Sequence, residues 1–136
     1  MKTHGSSLVE SLVALSVFSI GSAATGAWFV RAVADDARVS RAVAARVMAT
    51  SLAARMRANA PGASGGGYTN SPKAGSCATS CNAMALAADD MRRFHETLKA
   101  GVGPSADGEV SCETTTHCVI RIAWRGREVL AWPVQV

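Results

Sequence analysis

The chain has 136 residues, of which 49% are hydrophobic, 5% aromatic and 18% charged, and its formal net charge is +4. This length suits one domain, or one small domain with an appendage. The composition is too apolar for a disordered chain, and the 12 Gly and 4 Pro follow no collagen period. A polytopic membrane protein is also excluded, because only one uncharged stretch is long enough to cross a bilayer.

That uncharged stretch runs from Ser11 to Val30, between Glu10 and Arg31. Twenty helical residues rise about 30 Å, the thickness of a hydrocarbon core, so we expect one membrane span. A cleaved secretory signal and a plain membrane anchor are both possible interpretations. Glu10 is unusual in either, because a carboxylate drawn to the bilayer centre costs about 2.5–3.5 kcal/mol.

Four cysteines lie beyond this stretch: Cys77 and Cys81 are four residues apart, and Cys112 and Cys118 are six apart. An even count in a small domain with a membrane-directing N-terminus indicates disulfides in an oxidising compartment. Three pairings are possible, and we expect the short-range one, because each bond would then staple one loop. A four-cysteine zinc site is the alternative, but neither pair has the usual two-residue spacing.

The predicted helix continues beyond the uncharged stretch. From Arg31 to Asn59 there is no Gly or Pro and alanine is abundant, so we expect helix to about Ala58. Pro61 and Gly62 then end it. This part of the helix carries an apolar stripe that Arg41 and Arg55 interrupt, so we expect one face to pack on a sheet and the others to meet solvent or neighbouring subunits. The stripe consists of Val33, Val43, Val47, Met48, Leu52 and Met56.

Six arginines lie between Arg31 and Arg57, against Asp35 and Asp36. They could form a surface for DNA or anionic lipid. The preferred interpretation is a solvated helix face with subunit contacts.

The second half of the chain predicts an α+β head. Residues 60–76 are expected to be a loop, followed by a helix with Asn82 as N-cap and Gly101 as its end. Residues 109–112, 119–124 and 128–132 alternate with period two, which predicts a three-stranded antiparallel meander covered by the long helix. The buried face of the second helix is predicted to be Met84, Ala87, Met91, Phe94 and Leu98.

Two further groups of side chains are expected to have structural roles only. Asp89 and Asp90, followed by Arg92 and Arg93, are predicted to form a charge cluster on the helix surface. The tryptophans of the sheet, Trp124 and Trp132, are expected to pack against the long helix.

Residues 1–5 are a short hydrophilic leader ending in Gly5, and Ser6-Ser7-Leu8-Val9-Glu10 leads into the apolar run. This N-terminus resembles the class III signal of type IV prepilins and pseudopilins. The resemblance implies cleavage after Gly5 by the prepilin peptidase, N-methylation of Ser6 and retention of the span. Glu10 is then the fifth mature residue, as in the family, although the family usually has phenylalanine at the first.

The long helix followed by a loop, a helix and a small sheet also matches the pilin plan. Further features are the runs at 12–15 and 52–61, the cysteine pair before an Ala-x-x-Asp helix, and Cys118 leading into 119–124. In these features the chain more narrowly resembles the PilV family of minor pilins of type IVa pili. The implied division is a leader at 1–5, a transmembrane and fibre-core helix at 6–30, its outer half at 31–59, and a disulfide-stapled periplasmic head at 60–136.

The resemblance implies a minor pilin that primes pilus assembly and supports twitching motility and adhesion. Its expected partners are the prepilin peptidase, other minor pilins, the major pilin, the inner-membrane assembly platform and lipid around residues 11–30. Its expected location is the bacterial inner membrane, spanned once with the head in the periplasm, and then the pilus fibre on the cell surface. The alternatives are a minor pseudopilin of type II secretion and a DNA-binding subunit of DNA uptake; nucleic acid is not the expected partner.

Glu10 has a physical reason to stand at the head of the apolar run. Cleavage would leave an ammonium group on Ser6, and residues four apart on a helix can pair. Glu10 could instead meet the terminus of a neighbouring subunit and so fix the axial register of apolar helices. The sequence has no phosphate loop, metal-ligand cluster or nucleophile elbow, so we expect no enzyme activity, catalytic residue, metal or cofactor. His95 and His117 are expected to be structural.

Overall fold

A computed structural model describes residues 8–69, 77 and 80–136 of the chain. Two residues of the expected cleavage site, Gly5 and Ser6, lie outside the described residues. Among the described residues there are three helices and three strands: α1 Leu8–Ala58, α2 Ala60–Ser64, α3 Ala83–Gly101, β1 Ala106–Cys112, β2 His117–Trp124 and β3 Arg127–Gln135. The chain forms two compact units, the first ending at Arg38 and the second spanning Val39–Val136.

Helix α1 has 51 residues and no proline, and its outer part contributes to the core of the second unit. Within the apolar stripe, Leu52 and Met56 are buried, whereas Val33, Val43 and Val47 are more than half exposed. Alanines form most of the buried face of α1, because their small side chains let neighbouring elements approach the helix backbone closely. The buried residues of α1 are Ala45, Ala49, Leu52, Ala53 and Met56.

The prediction of a loop over 60–76 is wrong at its start, because residues 60–64 form the short helix α2. Proline has no amide hydrogen to donate, so Pro61 cannot continue α1. In the first turn of a new helix that hydrogen is not needed, and Pro61 is tolerated there. Turns then follow to Thr69.

Helix α3 begins as predicted, since the Asn82 side chain accepts a hydrogen bond from the Ala85 amide at 2.8 Å. Its predicted face is buried except for Met84, which is 48% exposed. Gly101 is the last residue of α3 and not the first residue after it. A Cβ at this position would overlap Met48 Cε. The turn is made by Gly103, whose φ of +140° favours glycine.

The three strands form an antiparallel meander in the order β1-β2-β3, as predicted. Ile120 and Ile122 of β2 are fully buried, and Pro133 lies in the edge strand β3, where a missing amide hydrogen is tolerated. Strand β1 packs its backbone against α3: a Cβ on Gly108 would lie 2.5 Å from Phe94 Cε1.

These contacts give the architecture of the second unit. One hydrophobic core joins the outer part of α1, the inner face of α3 and the inner face of the sheet. The predicted fold class, a long N-terminal helix packed on a small antiparallel sheet, is therefore confirmed.

Candidate functional site

The first candidate site is the apolar surface of α1. Every residue from Leu8 to Asp36 is exposed, including large side chains such as Phe18 and Trp28, each 72% exposed. The helix is long and apolar enough to cross a membrane, and none of its most apolar window is buried within the protein. Soluble monomers rarely expose an apolar patch larger than a few hundred Å², so this surface is suited to lipid or to other apolar helices.

Three of the hydroxyl side chains in this surface are satisfied within the helix. The hydroxyls of Ser16 and Ser19 each donate at 2.8 Å to the carbonyl four residues earlier. The hydroxyl of Thr25 does the same at 3.0 Å, to Gly21. These bonds matter because an unsatisfied polar group is costly in hydrocarbon. No atom lies within 4 Å of a Cβ built on Gly21 or Gly26, so both positions are open to close approach by another helix.

Glu10 is exposed in the first turn of α1. A carboxylate there interacts favourably with the positive end of the helix dipole. Among the residues the structure describes, none forms an ion pair with Glu10. Its expected partner, the amino group of Ser6, lies outside them, so the pairing stays a prediction.

The second candidate feature is the pair of disulfides. Cys77 is bonded to Cys81 and Cys112 to Cys118, which is the short-range pairing. Cys112 and Cys118 are directly opposed on β1 and β2, so their bond closes the loop between the two strands. No cluster of three or more metal-binding side chains occurs in the described part of the chain.

A buried polar network lies between α1 and α3 in the second unit. The Asp90 carboxylate accepts hydrogen bonds from Arg55 Nη1 and from the Tyr68 hydroxyl, both at 2.9 Å. Asn59 Nδ2 donates to the Tyr68 hydroxyl at 3.3 Å and to the Ala83 carbonyl at 2.8 Å. The network therefore ties α1, the turn after α2 and the start of α3 together.

Burial has a clear electrostatic effect on the phenol of this network. Tyr68 is 2% exposed, and burial is the largest cause raising its pKa to about 12. The Asn59 hydrogen bond lowers that pKa, whereas Asp90 raises it through both its hydrogen bond and its charge. The hydroxyl is therefore held protonated as a donor to Asp90 over the whole physiological pH range.

The prediction that Asp89 and Asp90 belong to a surface cluster is wrong, because both are buried, at 3% and 5% exposure. Asp89 accepts from Arg92 Nη2 at 2.6 Å and from Arg93 Nε at 2.7 Å. The hydrogen bond from Arg92 is the main cause that lowers the pKa of Asp89. Neighbouring acidic and basic residues are typical of a solvated helix face, but here Arg92 and Arg93 neutralise a buried carboxylate.

The two histidines that the structure describes lie in different surroundings. His95 Nδ1 lies 2.7 Å from the Met91 carbonyl and Nε2 lies 2.9 Å from the Gly108 carbonyl, so the ring bridges α3 and β1. His117 is the first residue of β2 and is exposed.

Trp124 contacts the long helix, as expected, through an arginine. The Arg41 guanidinium carbon lies 4.1 Å from the centroid of the indole ring, and that of Arg125 lies 4.6 Å from it. Trp132 is half-buried against the core. The sequence does not predict this contact, because Arg41 and Trp124 are far apart in the chain.

A scan against protein-family models and searches of curated proteins and of solved structures find no match to this chain. The arrangement described above combines an uncovered apolar helix surface with a small, disulfide-stapled head. Such an arrangement can bind lipid or other apolar helices through α1, and it can bind further partners through the surface of the head.

Proposed function

We propose that this protein is a minor pilin of the type IV pilus, which assembles with other minor pilins to prime pilus formation. It is processed by the prepilin peptidase, waits in the inner membrane with its head in the periplasm and enters the fibre. Its action is binding rather than catalysis. In this role it supports twitching motility and adhesion.

One observation carries the proposal: the apolar surface of α1 is uncovered, and a single carboxylate, that of Glu10, lies at its N-terminal end. Between Leu8 and Ala34, Glu10 is the only acidic residue in the sequence. An apolar surface of this extent requires lipid around it before assembly and neighbouring helices after it. The satisfied hydroxyls of Ser16, Ser19 and Thr25 suit both surroundings.

Glu10 has a specific task in this proposal. Apolar helices that pack side by side have little to fix their axial register, since lipid tails are as apolar as leucine. A carboxylate carried into that environment needs a cation, and the new amino terminus at Ser6, or that of a neighbouring subunit, supplies one. Removing one partner from a buried ion pair costs about 3–5 kcal/mol, so misregistered packing is disfavoured.

The head supplies partner surfaces on a rigid support. The Cys112–Cys118 bond closes the β1–β2 loop, and the network around Asp90 holds α3 against α1. Loops held by such supports are well placed to recognise other subunits.

The test uses the full chain expressed with a prepilin peptidase and a type IV pilus assembly machinery. N-terminal mass spectrometry of membrane-extracted protein should find a chain beginning at Ser6 with one added methyl group. Glu10→Ala should leave processing and membrane insertion intact but reduce recovery in sheared fibres by more than about 100-fold, from the cost of an unpaired buried charge.

Ser11→Ala is the matched control, because it changes the neighbouring side chain without altering charge. It should be recovered in fibres like the unmodified chain. Normal incorporation of Glu10→Ala would refute the registration role, and a chain that begins at Met1 or beyond Ala24 would refute the proposal itself. Recovery with a type II secretion pseudopilus instead of a pilus would assign the chain to that machine.

A further inference from the structure

The head has a cationic surface centred on one aromatic ring. Arg41 from α1 and Arg125 from the β2–β3 turn both place their guanidinium groups over the ring of Trp124, at 4.1 and 4.6 Å from its centroid. Arg127 is the cross-strand partner of Trp124, so its side chain emerges on the same face of the sheet. These four residues, Arg41, Trp124, Arg125 and Arg127, are called the Trp124 patch below.

The turn that carries Arg125 is built in an unusual way. Arg125 has a φ of 52° and Gly126 a φ of 73°, which are the two left-handed positions of a type I′ hairpin turn. Asparagine or glycine suits the first of these positions better than arginine does. Arg125 is therefore held in a sparsely populated conformation, and its guanidinium group gains a cation–π contact with Trp124 in return.

The carboxylates of the sheet are kept away from this patch. Glu128 is the partner of Ala123, and Asp107 is also opposite Ala123, so both emerge on the other face of the sheet. On that face Arg121 Nε lies 4.0 Å from Glu128 Oε2, so the charge of Arg121 is partly balanced by a carboxylate. Among the described residues, by contrast, no ion pair includes Arg41, Arg125 or Arg127.

The patch therefore holds like charges close together without compensation. Two guanidinium groups over one ring are within about one Debye length of each other, so they repel. An anion placed against them would relieve this repulsion. Arginine binds phosphate through paired hydrogen bonds, and tryptophan is favoured at the boundary between lipid and water.

The patch is close in sequence to the uncharged stretch. Ten residues, 31–40, separate Arg41 from Val30, the end of that stretch. Even a fully extended segment of this length spans at most about 40 Å, so the patch is tethered within reach of any bilayer that holds residues 11–30.

We propose that the Trp124 patch binds the headgroups of anionic phospholipids in the membrane that anchors the chain. Phosphate oxygens would accept hydrogen bonds from Arg125 and Arg127, with the indole edge at the interface. This docking requires only that residues 11–30 lie in a bilayer, and it does not depend on whether the chain later joins a pilus.

The experiment places the full chain in nanodiscs of phosphatidylglycerol or of phosphatidylcholine and measures amide hydrogen exchange by mass spectrometry. The peptide that contains Arg125–Arg127 should exchange more slowly in phosphatidylglycerol. This protection should disappear at high salt. Each arginine near an anionic surface contributes about 1 kcal/mol, so Arg127→Gln should lower the protection factor about fivefold.

Arg121→Gln is the matched control, since it neutralises one exposed arginine of the same sheet on the other face. It should leave the protection unchanged.

Arg125→Asn is a second variant that keeps the turn, because asparagine accepts the left-handed conformation. Its protection factor should also fall about fivefold. The emission of Trp124 should shift to the blue in phosphatidylglycerol when Trp28 and Trp132 are replaced by phenylalanine.

Equal exchange in the two lipids, or an equal loss in Arg121→Gln and Arg127→Gln, would overturn this proposal. Steeply salt-dependent binding of duplex DNA, lost in Arg127→Gln and accompanied by equal exchange in both lipids, would overturn it too and assign the patch to nucleic acid. None of these outcomes bears on the proposed pilin function, which the position of the N-terminus and fibre recovery test separately.

Discussion

The Tyr68 hydroxyl donates a hydrogen bond to Asp90 Oδ2 at 2.9 Å, so a phenol and a carboxylate share one buried site. The second oxygen of the carboxylate accepts from Arg55, whose side chain is 46% exposed. The ion pair therefore reaches the surface on one side, and the carboxylate is not isolated from all solvent. The pair links α3 to α1 through a residue of the intervening turn.

The first prediction concerns the titration of Tyr68. The chain has a single tyrosine, so phenolate absorbance reports on this residue alone. The native protein should titrate with a midpoint near pH 12, as its pKa of about 12 requires, and the denatured chain near the ordinary value of 10. Because the folded-state pKa is raised, this contribution to stability is complete below pH 10 and is lost as the pH rises through about 12.

Asp90→Asn is the informative variant for this titration. Without the carboxylate the native midpoint should fall but stay above 10, since burial is the largest cause of the shift. The free energy of unfolding should fall by about 1–3 kcal/mol, because a satisfied buried group loses its charged partner. A native midpoint at 10 in the unmodified chain would contradict the buried placement of Tyr68.

The second prediction concerns acid stability and Asp89. The folded-state pKa of Asp89 is lowered below its ordinary value of 3.8, chiefly by the hydrogen bond from Arg92. The stability that this provides is present above that ordinary value and is lost as the pH falls through the lower folded-state pKa. Chemical unfolding of the full chain in detergent across this range should therefore show that Asp89→Asn is destabilising at neutral pH, with a difference that shrinks below about pH 4.

Glu113→Gln provides the control for this measurement. Glu113 is exposed and directly follows β1. The substitution therefore removes one negative charge, as Asp89→Asn does, but from an exposed position. Its unfolding curves should follow those of the unmodified chain at every pH. A difference for Asp89→Asn that is independent of pH would show that the carboxylate does not act through its charge.

Much of the fold could be predicted from local patterns. The period of α3, its Asn82 cap and the alternation around Ile120 and Ile122 each depend on residues close in the chain, and they are confirmed except at Met84, which is exposed. The sequence does not predict the short helix α2, because its second and third residues are Pro61 and Gly62, which are typical of a helix end. Pro61 ends one helix and begins the next, and both roles have the same local signature.

The burial of the carboxylates could have been anticipated in part. Asp90 lies three residues after Ala87 and four before Phe94, which places it on the buried face of α3 by helical period. Its partners could not be found this way, because Arg55 and Tyr68 come from distant parts of the chain. The contact between Arg41 and Trp124 was hidden for the same reason.

The third prediction concerns the disulfides. Non-reducing mass spectrometry of the full chain should find four hydrogens fewer than in the reduced chain, because two bonds are present. Replacing Cys112 and Cys118 together by alanine should lower the free energy of unfolding by about 2–4 kcal/mol, from the released loop and the lost burial. To separate the two effects, a variant with Cys77 and Cys81 replaced by alanine is compared before and after reduction, because only the Cys112–Cys118 bond then opens and both of its side chains keep their volume. Free thiols in protein from an oxidising compartment would contradict the pairing.

The last prediction concerns the close approach of β1 to α3. A Cβ on Gly108 would lie 2.5 Å from Phe94 Cε1 and 2.6 Å from Leu98 Cδ1, and both side chains belong to the core. Gly108→Ala should therefore push β1 away from α3 and lower the free energy of unfolding by about 1–3 kcal/mol, the usual cost of overpacking. The matched control is Gly21→Ala, the same chemical change where no atom lies within 4 Å of the added Cβ, and it should leave unfolding of the head unchanged. An unchanged midpoint for Gly108→Ala in chemical denaturation would show that the strand can move outward without losing contact with Phe94.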